Sequence, residues 1–222
     1  FDVTVGPVVD LWRQSRRTQR LPDPQELKDA LSRVGWSKVE LDPAKQTVKL
    51  TTPGMRLDLG GIAKGYAADE VLAIFGKHGI KSALVAAGGD ITVGDPPPGT
   101  EGWRVEIAPL PGSKEKRVLR LKNAAVSTSG DAENFVLIDG VRYSHIVDPK
   151  TGLGLTGYRS VTIIAPNGIT SDSTTKAAMI LPPEKALKLL ECMDGVSGLI
   201  LRKVGDAEEV VQTKGFAGYL AK

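Results

Sequence analysis

Cysteine is nearly absent from this chain: Cys192 is the only one in 222 residues, which excludes an internal disulfide. Histidine is almost as scarce, so histidine chemistry is confined to His78 and His145. Neither sign of charge dominates. The 29 basic and 26 acidic side chains leave a net charge of +3, and the basic ones are scattered apart from Lys114, Lys116 and Arg117. A nucleic-acid footprint is not indicated. No apolar run is long enough to span a membrane, and there is no signal peptide, repeat or low-complexity tract. The chain starts at Phe1 rather than methionine, so the lack of a signal peptide decides little. Hydrophobic residues make up 41% and charged ones 25%, ordinary for a globular protein with a substantial core.

What is present reads as α+β in one compact domain over 1–222. Asp23-Pro24-Gln25-Glu26 is a capping-box-like helix start with proline at N1, and the helix runs to Val34 before Gly35. Strand-like pieces follow at 38–41 and 47–51. A short strand is expected to end at Asp58. Its glycine pair then turns into a helix carrying Val71, Ile74 and Phe75. Ala83 to Gly94 reads as a buried strand interrupted by Gly88-Gly89-Asp90. Asp139-Gly140 between two β-rich runs is a hairpin signal. A strand to Ala165, two helices and a closing strand at 198–202 complete the pattern. Trp12, Trp36 and Trp103 read as packing residues.

Four segments carry candidate chemistry. In Ile169 to Met179, Asp172 sits among hydroxyls at an expected helix start. Carboxylate and hard oxygens suit Mg²⁺ or Ca²⁺, yet Ser, Thr and Asp are also what helix caps prefer. In Asp58-Leu59-Gly60-Gly61-Ile62-Ala63-Lys64-Gly65, glycines and a helix N-terminus suit an anion, and Lys64 adds positive charge. Neither standard phosphate-loop motif occurs, so an incidental turn is the competing reading. Gly88-Gly89-Asp90 alone says little. Ser127-Thr128-Ser129-Gly130-Asp131 reads as a loop, and beside it His145 closes a strand. A strand histidine is more often a packing residue, while His78 reads as a surface residue at a helix tail.

Taken in order, these segments resemble the ApbE family, the FAD:protein FMN transferases. The resemblance runs from Phe1-Asp2-Val3-Thr4 through the Asp58, Asp90, Ser127 and Tyr143-Ser144-His145 segments to Ser171-Asp172, ending near Leu181. It implies an α+β ApbE-like two-layer domain with a mainly antiparallel sheet and packed helices. It also implies a Mg²⁺-dependent bacterial enzyme that cleaves FAD and attaches FMN to a threonine or serine of an acceptor flavoprotein, such as a redox-driven ion-pump subunit. Such enzymes belong to the cell envelope or periplasm. By resemblance, this chain lacks an upstream segment that normally carries an export signal or lipid anchor.

The same resemblance implies site residues. Asp172, the Gly61 carbonyl and Thr175 are the metal candidates. Phe1, Asp2, Asp58, Lys64, Ser127, Thr128, Ser129, His145, Ile146 and Val147 are the FAD candidates. His145 and Asp172 are the catalytic candidates. A histidine here can take the proton of the incoming hydroxyl or only hold the nucleotide. The family's commonest form has threonine where this chain has Lys176. A protonated lysine cannot ligate Mg²⁺, so either Thr175 and water complete the shell or Lys176 partly replaces the cation. An FAD-binding module without transfer, and an FAD pyrophosphatase giving FMN and AMP, remain alternatives.

Overall fold

A computed structural model of the chain describes residues 2–110, 113, 115–130, 134–205 and 207–221. They fall into two compact units, and the chain visits each twice. The first comprises Phe1–Leu59 and Asn134–Gly157, the second Gly60–Glu133 and Tyr158–Lys222.

The chain opens with a helix that the sequence reading did not anticipate, α1 (Gly6–Thr18). Pro7 presets its first turn, and Arg16 and Arg17 complement the dipole of its last. Gly6 is required there, since an added Cβ would lie 2.6 Å from the Arg56 carbonyl oxygen. Helix α2 (Pro24–Ser32) starts as expected, with the Asp23 carboxylate accepting the Gln25 and Glu26 N–H groups. Strands β1 (Val39–Asp42) and β2 (Thr47–Leu50) form an antiparallel ribbon. Trp36, expected to pack, is 76% exposed beside that ribbon. The expected strand into Asp58 is absent: only an isolated bridge, Val5 to Arg56, marks that segment.

The second unit begins with α3 (Ala63–Lys77), β3 (Leu84–Ala87), β4 (Asp90–Val93), β5 (Trp103–Ile107), β6 (Arg117–Leu121) and β7 (Ala124–Gly130). What reads as one interrupted strand at 83–94 is a hairpin. Gly88 and Gly89 reverse the chain with φ of 56° and 95°, a region open chiefly to glycine. The chain then returns to the first unit for β8 (Phe135–Ile138), β9 (Val141–Val147) and β10 (Gly154–Thr156). Asp139-Gly140 makes the expected tight turn, both residues at positive φ. Trp12, Val8, Val136, Ile138 and Val147 form the core of that unit. Trp12 also donates its indole N–H to the Gly152 carbonyl at 2.7 Å.

Back in the second unit come β11 (Arg159–Ala165), α4 (Gly168–Ile180), α5 (Pro183–Glu191), β12 (Ser197–Val204) and β13 (Ala207–Gln212). Its main sheet runs β13-β12-β11-β7-β4-β3, antiparallel throughout. Helices α3, α4 and α5 pack on this sheet. The β5–β6 ribbon and Phe216 share a core with Val93, Val126, Ile164 and Leu201. Because both faces of β11 are covered, its residues from Ser160 to Ala165 are all buried and show no alternation. Each fully buried side chain such as Leu119 or Ile164 contributes about 2 kcal/mol. The α+β class and the mainly antiparallel sheet with packed helices are what the structure shows.

Candidate functional site

In the second unit the candidate chemistry centres on the starts of α3 and α4. Helix α3 follows the buried Gly61 turn, and its N-cap, Ile62, offers no side-chain hydrogen bond. The missing acceptor comes from the other helix: Asp172 Oδ2 accepts the Gly65 N–H at 3.2 Å. Helix α4 in turn receives Asp69 of α3, whose two oxygens accept the Gly168 and Ile169 N–H groups at 2.6 and 2.9 Å. Asn167 caps the next position through Thr170 N–H. Asp172 therefore lies a full turn inside α4 and does not cap its own helix, because that helix starts earlier than the sequence suggests.

This exchange needs backbones in direct contact. A Cβ on Gly65 would lie 2.1 Å from the Gly168 carbonyl oxygen, and one on Gly168 would lie 2.5 Å from that of Gly65. No side chain fits at either position.

The Asp172 carboxylate is fully buried, and its counter-ion is Lys176, one helical turn on, with a side chain only 13% exposed. The ammonium meets Asp172 Oδ1 and also the Asp172 carbonyl at 3.0 Å. A lone buried carboxylate would be costly, and a paired, hydrogen-bonded one is tolerated. Thr175 donates to the same carbonyl at 2.7 Å and shares a hydrogen bond with Ser129 Oγ at 2.7 Å. Mg²⁺ takes oxygen donors. Here both Asp172 oxygens and the Thr175 hydroxyl are already engaged, and an ammonium stands at the carboxylate. This donor set does not fit a divalent cation. Among the described residues, no group of three His, Cys, Asp or Glu is gathered either.

Ser127, Thr128 and Ser129 lie on strand β7, not on a loop. Their hydroxyls are already used: Ser127 bonds Ser171 at 2.8 Å and Thr128 bonds Thr162 at 2.9 Å. The β4 ladder ends at Ile91 opposite Val126, while the β11 ladder continues to Gly130. Residues 127–130 thus have a ladder partner on one side only among the described strands. Lys64, on the first turn of α3, holds its ammonium 2.6 Å from the buried Asp90 Oδ2 and 3.4 Å from the Gly88 carbonyl. That Asp90 oxygen has no well-angled hydrogen bond, so Lys64 compensates it by charge.

In the first unit, Asp2 accepts the Thr4 N–H and hydroxyl at 2.9 and 2.6 Å and the Trp36 N–H at 3.1 Å. Asp58 accepts from Arg13 at 2.9 Å, and its own N–H donates to the Val3 carbonyl at 2.7 Å. His145, exposed on β9, places Nδ1 3.0 Å from the Asn134 carbonyl oxygen. A carbonyl only accepts, so Nδ1 carries the proton and Nε2 is the acceptor of the neutral ring. Ile146 and Val147 are buried. Phe1, Lys114 and Asp131 lie outside the described residues.

Within the second unit the fold thus gathers Ser129, Asp172, Thr175 and Lys176, with Lys64 on a separate aspartate. Within the first, the Val3 carbonyl links Asp58 to the Asp2 segment, and His145 stands on another strand. Asp69, Asp90 and Gly168 were missed as site-building residues. Only the Gly-Gly-Asp pattern hinted at one of them.

The ApbE family's sequence model matches residues 1–200. The "FAD:protein FMN transferase" of Treponema pallidum (strain Nichols) is 37% identical over 217 residues, 90% of this chain and 60% of that protein. The protein of that name from Klebsiella pneumoniae (strain 342) is 30% identical over 99% of this chain and 65% of its own length. The chain thus spans about three-fifths of the curated relatives it matches. The crystal structure of the ApbE protein from Thermotoga maritima superposes with a TM-score of 0.88 at 34% identity, covering 100% of this chain and 72% of that one. The apo form of the Pseudomonas stutzeri flavinyl transferase ApbE gives 0.85 at 29% identity, covering 100% and 69%. A match that takes in most of both compact units, at this identity and with this superposition, makes the chain a member of the ApbE family.

Proposed function

We propose that this chain is the flavin-transferring part of an FAD:protein FMN transferase, a single ApbE-like domain over 1–222. The reading rests on the 37% identity to a transferase of that name over 217 residues. In the proposed reaction, a threonine or serine hydroxyl of an acceptor flavoprotein attacks the FMN phosphorus of FAD. A new P–O bond forms, the pyrophosphate bridge breaks, and AMP leaves. The hydroxyl proton passes to His145 Nε2, for which the Nδ1–carbonyl contact selects the right tautomer. Lys64, the more exposed of the two lysines paired with buried aspartates, supplies positive charge to the phosphates.

The remaining FAD contacts in this proposal follow from what is occupied. Asp2, Ile146, Val147 and Ser127 to Ser129 have engaged or buried side chains, so they would meet the nucleotide through backbone groups. Asp58 and Phe1 belong to the same proposed set. Magnesium stays outside the reading, because the Asp172 donor set does not fit it. The relatives are bacterial, and the cell envelope is the proposed setting. Among the described residues, no helix is long and apolar enough to cross a membrane.

The test is incubation with FAD and an acceptor flavoprotein, read by in-gel flavin fluorescence and by chromatography of nucleotides. Covalent flavin on the acceptor with one AMP released per label supports transfer. FMN and AMP without labelling would mean a pyrophosphatase, and unchanged bound FAD a binding module. His145→Ala should slow transfer by about 10²- to 10⁴-fold with FAD still bound.

A further inference from the structure

Lys176 is a largely buried ionisable group with no part in the proposed reaction. It is held on two acceptors of one residue, the carboxylate and the carbonyl of Asp172, a turn earlier on α4. The second Asp172 oxygen is fixed by Gly65 of α3. The Asp172 carbonyl that holds the ammonium also accepts the Thr175 hydroxyl, which in turn meets Ser129, so hard oxygens of the kind a divalent ion takes continue from it. A second cation at the same carboxylate would face the ammonium at contact distance, with little water to screen it.

We infer that Lys176 is a built-in cation that takes the position of a divalent ion at Asp172, so that this carboxylate binds a metal only when Lys176 is replaced. The inference deepens the proposed reading by naming the cation, and its test requires no turnover. The lysine neutralises Asp172 while fixed to the same helix, so the neutralising charge cannot dissociate. Replacing it with threonine would leave a buried carboxylate without a counter-ion and add a hydroxyl one turn away. Both changes favour a divalent ion.

The experiment uses the whole chain, stripped with a chelator and dialysed, without FAD. Mn²⁺ is titrated and its free concentration read by electron paramagnetic resonance. Thermal unfolding is followed with and without Mg²⁺. The wild-type chain should show no saturable Mn²⁺ site and no shift of Tm with Mg²⁺. Lys176→Thr should bind one Mn²⁺ per chain and gain a Tm that rises with Mg²⁺, and Lys176→Thr combined with Asp172→Asn should lose both. A wild-type site that disappears in Asp172→Asn would overturn the inference, as would a folded Lys176→Thr that gains no metal. If Lys176→Thr folds only with metal present, that supports it. If it folds under no condition, the wild-type titration decides alone: a saturable site overturns the inference and none supports it. Failed FMN transfer would leave the Mn²⁺ result standing, and a wild-type Mn²⁺ site would leave transfer open.

Discussion

Two lysines in the second unit each sit on a buried aspartate, and they differ in where the charge ends. Lys176 is closed in with Asp172, 13% against 0% exposed, whereas Lys64 reaches Asp90 from a side chain 42% exposed. The first pair is an internal structural element whose members are costly to separate. The second has one end in water, so screening and a moving ligand can act on it. Chemically identical pairs thus differ in how far solvent reaches their charge. Lys49 with Glu40, exposed at both ends, marks the far limit of the series.

Breaking the closed pair should have the largest effect. Asp172→Ala strands a buried ammonium and the Gly65 N–H together, and urea unfolding should show a loss of about 3 to 5 kcal/mol. A loss near that of a surface pair would remove the distinction. Gly65→Ala attacks the same pair through the backbone: its Cβ must push Gly168 away, costing about 3 kcal/mol in the same measurement. Lys64→Met should cost about 1 to 3 kcal/mol, because the buried Asp90 Oδ2 then lacks the compensation that the half-exposed ammonium supplied. Raising NaCl from about 0.1 to 1 M should shrink that difference and leave the Asp172→Ala difference nearly unchanged. Lys49→Ala should fall below about 0.5 kcal/mol.

The sequence made local features legible and distant partners not. The Asp23 cap, the Asp139-Gly140 turn and the apolar strand into Ala165 depend on near neighbours, and each is where composition placed it. The hydroxyl-rich 127–129 segment looked like a loop because Ser and Thr favour turns. Its side chains instead find Ser171, Thr162 and Thr175 across a sheet and a helix. Asp172 was singled out as a metal candidate, with a cap for its own helix as the competing reading; its carboxylate instead caps the start of the other helix, α3. Its partner N–H lies 107 residues away, and no local pattern encodes that. Lys176 was visible as a departure from the family. That its ammonium turns back onto Asp172 follows from helical spacing once the helix is in place.

The reciprocal aspartates of α3 and α4 also bear on how the second unit assembles. Helix α3 lacks a side-chain cap of its own until α4 arrives, and the first two helical N–H groups of α4 wait for Asp69. The two helix starts are joined by contacts about a hundred residues apart in sequence. Their ends should therefore become protected from hydrogen exchange together, as one cooperative step with a slow, long-range closure. A peptide of either segment alone should fray at its N-terminus, and mixing the two should not restore it without the sheet beneath.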